Sequence, residues 1–288
     1  MLDKFRSIYV INFVGAVYIT SKIAIVSELA PYGSIQDLIQ KRKDNPLSKD
    51  MRVKFCYDCS KGIQYLHRNG ILHRDIKPDN FLVITLDESG VVNAKITDFG
   101  SARNVNMLMT NMTFTKGVGS PKYMAPEILN REHYKDQADI FSLAVTMYEI
   151  FAWDDAYPVE NFPFPWKIAE FVSKGNRLGR VNTFTDQEWE VIEKCWNQDP
   201  KQRPQIDFVV AILKAMNKIV KKTNYIQETV EEEKEVEKKE YNDESEYEYE
   251  EDEEYEEEEE YEESEYEEEE SNDEEFVEKE TSSHSSEE

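Results

Sequence analysis

His73-Arg74-Asp75-Ile76-Lys77-Pro78-Asp79-Asn80 is an acid-rich loop that also carries a lysine, and Thr97, the residue before Asp98-Phe99-Gly100, lies seventeen residues after Asn80. This pairing suits one task. One carboxylate, Asp75, orients a hydroxyl nucleophile, while an amide and a second carboxylate, Asn80 and Asp98, hold magnesium on a nucleotide's phosphates. Ala125-Pro126-Glu127 begins 27 residues after Asp98 and leaves room for a long intervening segment. Three motifs in this order at workable spacings are not a chance arrangement.

At this point the chain resembles a eukaryotic protein kinase, and the resemblance implies roles. Asp75 would take the proton of the attacking hydroxyl, and Lys77 would set a positive charge beside the transferring phosphoryl group. Asn80 and Asp98 would offer oxygens to Mg²⁺, with ATP as co-substrate. Lys77-Pro78-Asp79-Asn80 is similar to serine/threonine kinases, since tyrosine kinases carry a different arrangement here. Ser120, in Gly119-Ser120-Pro121-Lys122-Tyr123-Met124, resembles the hydroxyl residue that bonds the catalytic Asp and Lys of that class. Gly33-Ser34-Ile35-Gln36-Asp37-Leu38 and Lys194-Cys195-Trp196 resemble the tyrosine-kinase-like (TKL) family, whose members mostly phosphorylate Ser and Thr. Protein substrates inside the cell are what the resemblance implies.

The same resemblance assigns supporting parts. Ser27 matches the gatekeeper position, so the Glu28 carbonyl and the Ala30 N–H would face adenine, with Leu82 as the floor of the base pocket. Arg74 would pair with a phosphate set by an upstream kinase, for which Thr110, Thr113 and Thr115 are the candidates. Glu127 would pair with Arg203, and Asp139 would hold the backbone of the catalytic loop from the start of a buried helix. Phe13, His73 and Phe99, with Leu2 as a fourth member, match an apolar stack that runs through active kinases.

Hydrophobic patterning fits an α+β, protein-kinase-like fold. Phe13 to Thr20 and Lys22 to Leu29 read as adjacent strands. Ser34 can cap a helix over Ile35, Leu38 and Ile39, and Val53, Cys56, Cys59, Ile63 and Leu66 recur at helical spacing between Lys49 and His67. Short strands are expected near Phe81–Ile84 and Val91–Ile96, and helices over roughly 136–152, 164–174, 186–196 and 204–219. Residues 1–219 then form a partial kinase domain, with a small-lobe remnant over 1–29 and a mainly helical large lobe over 30–219.

Charge divides the chain sharply. Residues 231–288 hold 34 Asp and Glu against 4 Lys and Arg, whereas residues 1–230 hold 27 acids and 30 bases. The net charge of −27 therefore belongs to the tail. Residues 220–240 read as a charged linker, possible as a solvated helix, and 241–288 as a disordered Glu/Tyr-rich tail that cannot bury enough apolar surface to offset its chain entropy. Such a tail suits a basic partner and disfavours nucleic acid, whose phosphates it repels. Ser245, Ser264 and Ser271 sit among acids as modification candidates. Three cysteines make no disulfide framework, and Cys56-Tyr57-Asp58-Cys59 reads as core packing and not as a zinc site. No stretch reaches the ~18 apolar residues of a membrane span, and no secretory signal is visible. A cytoplasmic setting is expected, with the nucleus also open.

None of the ten glycines belongs to a phosphate-covering G-x-G-x-x-G, and no Val-Ala-x-Lys strand precedes the motifs. Against the family pattern, the chain is expected to start inside the small lobe. Two readings stay open on that ground: a serine/threonine kinase, or a catalytically weak kinase-like scaffold or decoy.

Overall fold

A helix with no solvent-facing side organises the molecule. The computed structural model describes residues 6–19, 22–104, 120–133 and 135–217. In chain order they form β1 (Phe13–Ile19), β2 (Lys22–Ser27), α1 (Ile35–Lys41), α2 (Lys49–Arg68), β3 (Ile71–Leu72), β4 (Phe81–Val83), β5 (Ala94–Ile96), β6 (Arg103–Asn104), α3 (Pro126–Leu129), α4 (Gln137–Ala152), α5 (Pro165–Ser173) and α6 (Asp186–Cys195), followed by a helix over 206–217. Every residue from Ala138 to Phe151 in α4 is buried. An apolar run without a polar face can only be satisfied by neighbours on all sides. Those neighbours include α2 and α6. Phe55, Ile63 and Leu66 of α2, Phe141, Leu143 and Met147 of α4, and Val191 and Ile192 of α6 are all essentially inaccessible. Each contributes about 1.5–3 kcal/mol relative to an exposed position.

Two short antiparallel ladders frame the motif loops. Ile71 and Leu72 pair with Asn104 and Arg103, and Phe81, Leu82 and Val83 pair with Ile96, Lys95 and Ala94. The loop 73–80 thus leaves β3 and enters β4, while 97–102 leaves β5 and enters β6. The two stretches that decided the sequence reading are tied together at both ends. The β3–β6 pair was not expected, because two residues per strand leave no alternation to read.

Several boundaries move. The strand expected from Val91 starts only at Ala94, and Val91 is exposed. The reason lies in Asp58 of α2, whose carboxylate accepts the N–H groups of Asn93 (2.7 Å) and Ala94 (3.2 Å) and is itself held by Lys54. Backbone donors taken by a side chain are lost to a ladder. The strand expected to reach Ile84 ends at Val83, and the last helix begins at 206, two residues beyond Pro204.

β1 and β2 form a hairpin whose register runs from Phe13↔Ser27 to Ile19↔Lys22. Its root is anchored, for Val10 and Ile11 are buried and the Ile11 N–H bonds the Ile96 carbonyl at 2.9 Å. Beyond the root, Val14, Val17, Tyr18, Ile19, Ile23 and Ile25 are exposed. Cys56, Cys59 and Cys195 are buried free thiols, as core packing requires. Burial pushes the thiols of Cys56 and Cys59 well up, and that of Cys195 to about 12, so they stay protonated and inert. Among the described residues no helix is long and apolar enough to cross a membrane. Leu2, Thr110, Thr113, Thr115, the linker over 220–240 and the tail over 241–288 lie outside the described residues.

Candidate active site

The loop between β3 and β4 is held from below by α4. Asp139, in the first turn of α4, accepts the His73 N–H through Oδ2 and the Arg74 N–H through Oδ1, both at 2.9 Å. His67 of α2 bonds the same Oδ2 at 3.0 Å. Burial pushes the Asp139 carboxyl up, but the His67 hydrogen bond and charge, together with His73, outweigh it and hold the group below its ordinary value. A charged Asp139 therefore fixes two consecutive backbone donors. Arg74 takes φ +68°, a conformation that costs a non-glycine residue about 1–2 kcal/mol, and that anchoring offsets the strain.

His73 is fully buried, and burial lowers its imidazole below the ordinary value. The neutral ring fits its partners in one tautomer. Nε2–H donates to the Thr97 carbonyl at 2.8 Å, and Nδ1 accepts the Asp75 N–H at 3.4 Å. The ring also meets Phe99 edge-on, with centroids 5.6 Å apart. One side chain thus links the catalytic loop to the segment carrying Asp98.

Asp75, Lys77 and Asn80 converge. Asp75 Oδ2 lies 2.8 Å from Lys77 Nζ and accepts from Asn80 Nδ2 at 3.1 Å. Asn80 Nδ2 also donates to the Asp75 carbonyl at 2.7 Å. Lys77 Nζ reaches on to Ser120 Oγ at 3.4 Å, so the hydroxyl picked out in the sequence meets the lysine. With Oδ2 engaged twice, Oδ1 is the Asp75 oxygen available to a substrate hydroxyl. With Nδ2 of Asn80 directed at Asp75, its Oδ1 is the oxygen available to a cation.

Asp98 adopts the left-handed conformation (φ 58°, ψ 73°) and accepts the Gly100 N–H at 3.2 Å. It is exposed and lines a cavity of about 670 Å³. Phe13, Tyr18, Ile25 and Ser27 of the hairpin line one wall, and Asp98 and Phe99 the other. Phe13 and Phe99, two members of the expected stack, share this cavity. Glu28, Ala30 and Leu82, the expected adenine contacts, are not part of its lining. Glu28 and Ala30 sit in residues 28–34, the linker between β2 and α1, and Leu82 in the adjacent β4, where the Gly33 carbonyl accepts the Val83 N–H at 2.8 Å. The Glu28 N–H bonds the Asn12 carbonyl and the Ala30 carbonyl accepts from Gly33, so neither bond uses the Glu28 carbonyl or the Ala30 N–H.

The donor set fits magnesium. Asn80 and Asp98 offer hard oxygens, and among the described residues no cluster of three or more His, Cys, Asp or Glu forms a cage. Magnesium takes one or two protein oxygens and completes its octahedron from phosphates and water.

Two features escaped the sequence reading. Lys95 of β5 bonds both carboxylate oxygens of Glu28, at 2.9 and 2.7 Å, and clasps the linker to the strand that leads to Asp98. Lys122, beside Ser120, contacts the buried Glu149 of α4. A carboxylate in the last turns of a largely apolar helix was the available signal for the second. The first left none, since two surface-type charges 67 residues apart carry no pattern.

Comparison with known proteins agrees with this geometry. The chain is 31% identical over 220 residues to the probable serine/threonine-protein kinase gdt2 of Dictyostelium discoideum, covering 76% of this chain and 13% of that protein. It is 34% identical over 214 residues to the serine/threonine-protein kinase STY17 of Arabidopsis thaliana, covering 74% and 35%. For the Arabidopsis serine/threonine-protein kinase VIK the values are 31% over 224 residues, 76% and 49%. The chain therefore spans less than half the length of each of these relatives. The signature of the protein tyrosine and serine/threonine kinases matches residues 1–213, and the chain belongs to that family.

Proposed function

We propose that the chain is a protein serine/threonine kinase of the TKL type that transfers the γ-phosphoryl group of ATP to Ser and Thr hydroxyls of intracellular proteins. The observation that carries this reading is the convergence of Asp75, Lys77 and Asn80, with Ser120 on the lysine. Asp75, held through Oδ2, presents Oδ1 to the acceptor hydroxyl, orients it and receives its proton. Lys77, paired with Asp75, stands where charge spreads onto the transferring group. Asn80 Oδ1 and the Asp98 carboxylate would hold magnesium, which when bound neutralises charge on the phosphates. The Glu28 carbonyl and the Ala30 N–H would take the adenine edge over Leu82. Lys77 and Ser120 favour Ser and Thr as acceptors.

The alternative reading is a kinase-like scaffold or decoy of weak activity. Labelled phosphate transfer from ATP to a Ser/Thr peptide library separates the two. The kinase reading expects transfer that falls by about 100- to 10,000-fold in Asp75→Asn. Transfer that is absent, or equal in the wild type and Asp75→Asn, overturns it.

A further inference from the structure

We propose that Lys122 is a positioning residue for phosphoryl transfer, acting through a buried cluster that fixes the segment from which Ser120 reaches Lys77. The inference rests on the kinase reading of Asp75 and Lys77.

Ser120 precedes a single 3₁₀ turn, Pro121–Tyr123, that lies on α4. Two consecutive residues of that turn are pinned. The Lys122 ammonium contacts Glu149 Oε1, and it bonds Asp155 Oδ1 at 2.7 Å. The Tyr123 hydroxyl donates to Glu149 Oε2 at 2.6 Å, and the Tyr123 carbonyl accepts from the Ser142 hydroxyl at 2.7 Å. Glu149 is wholly inaccessible, and its Oε1 also accepts the Ala156 N–H at 2.9 Å. The lysine additionally lies 5.3 Å over the Tyr123 ring. A carboxylate this deep requires a partner charge or a proton, and Lys122 is the cation in contact with it. The lysine therefore decides whether this end of α4 can hold the turn.

The consequence reaches Asp75 through a short covalent and hydrogen-bonded path. Lys122 is two residues from Ser120, Ser120 Oγ is 3.4 Å from Lys77 Nζ, and Lys77 is 2.8 Å from Asp75. A hydrogen bond of 3.4 Å sits at the outer limit of the useful range, so a shift of a few tenths of an ångström in the turn breaks it. The groups expected to meet adenine, Glu28 and Ala30, take no part in the cluster. Loosening the turn is thus expected to affect the chemical step and to leave nucleotide binding alone.

The test uses the full chain with Lys122→Met and with Lys122→Met/Glu149→Gln, the second removing both charges so that no unpaired carboxylate is buried. Circular dichroism establishes folding. Peptide phosphorylation gives kcat and the KM for ATP, and hydrogen exchange reads the amides of 120–124. The proposal expects kcat to fall by about 10- to 100-fold with the KM for ATP unchanged, and faster exchange at Tyr123 and Met124, in the folded double variant. A folded double variant with wild-type kcat, or with exchange unchanged in that turn, overturns it. If the wild-type chain transfers no phosphate, the kinase reading fails separately, and the exchange result alone decides whether Lys122 positions the turn.

Discussion

Arg203 grips Glu127 through two parallel bonds, Nη1 to Oε1 at 2.7 Å and Nη2 to Oε2 at 2.8 Å, with both side chains almost completely buried. The guanidinium also donates to the carbonyls of Gln137 and Asn197, so α3, α4 and the approach to the last helix meet at one residue. Removing one member of such a pair leaves an uncompensated charge in the interior. Glu127→Ala is expected to cost about 3–5 kcal/mol in urea unfolding, far more than an exposed pair such as Lys194–Glu190, which contributes about 0–1 kcal/mol.

His73 makes stability depend on mild acid. Burial holds its imidazole low, against the pull of Asp139, Asp75 and Asp98. The folded state therefore binds fewer protons at this site than the unfolded chain. Its contribution is complete above the ordinary value of 6.5 and is lost as pH falls below it toward the lowered folded value. Protonation would also remove the acceptor that Nδ1 offers to the Asp75 N–H. The melting temperature is expected to fall between about pH 7.5 and about pH 5.5, and the fall is expected to shrink in His73→Gln.

The turn between linker and α1 is expected to tolerate little. Ser34 and Asp37 form a capping box, with Asp37 N–H donating to Ser34 Oγ at 3.0 Å and Ser34 N–H to Asp37 Oδ2 at 2.8 Å. Ser34→Ala is expected to destabilise by about 1 kcal/mol. Gly33→Ala meets two penalties, a φ of +74° and a Cβ only 2.7 Å from Asp37 Oδ2. Its expected cost exceeds that of Ser34→Ala, and thermal melts of both variants check the order.

Lys95 and Glu28 lie on opposite sides of the linker clasp and are partly exposed, so their pair contributes about 0–1 kcal/mol to folding. Its larger effect is expected on ligand. Lys95→Met is expected to weaken ATP binding by about 2- to 10-fold with little change in melting temperature. The reversed pair Lys95→Glu/Glu28→Lys is expected to recover part of it. Calorimetric titration with ATP and magnesium provides the check.

The motif loops were legible because their chemistry is dense and local. Asp75, Lys77 and Asn80 lie within six residues, and the structure brings them within about one hydrogen bond of each other. Helices were legible wherever one face was apolar over three turns, as in α2. Short ladders were not, since β3 and β6 have two residues each and owe their pairing to distant chain. Val91 misled because β-propensity says nothing about Asp58, a carboxylate 35 residues before Asn93 that takes the backbone donors of Asn93 and Ala94. The same limit hid the Lys95–Glu28 clasp, and Glu28, Ala30 and Leu82, expected to meet adenine, do not line the cavity beside Asp98.

Asp139 at one end of α4 holds the catalytic loop, Ser142 holds the carbonyl of Tyr123, Glu149 near the other end holds Lys122, and the Phe151 carbonyl receives Arg52 of α2. Loop, turn and helix are bolted to a common axle. They cannot loosen one at a time: local fraying at any of them must either break a buried bond to that axle or carry it along. Slow amide exchange should therefore appear as a single cooperative block that joins 71–75, 121–124 and 137–152, with the strands 13–19 and 22–27 exchanging on their own clock.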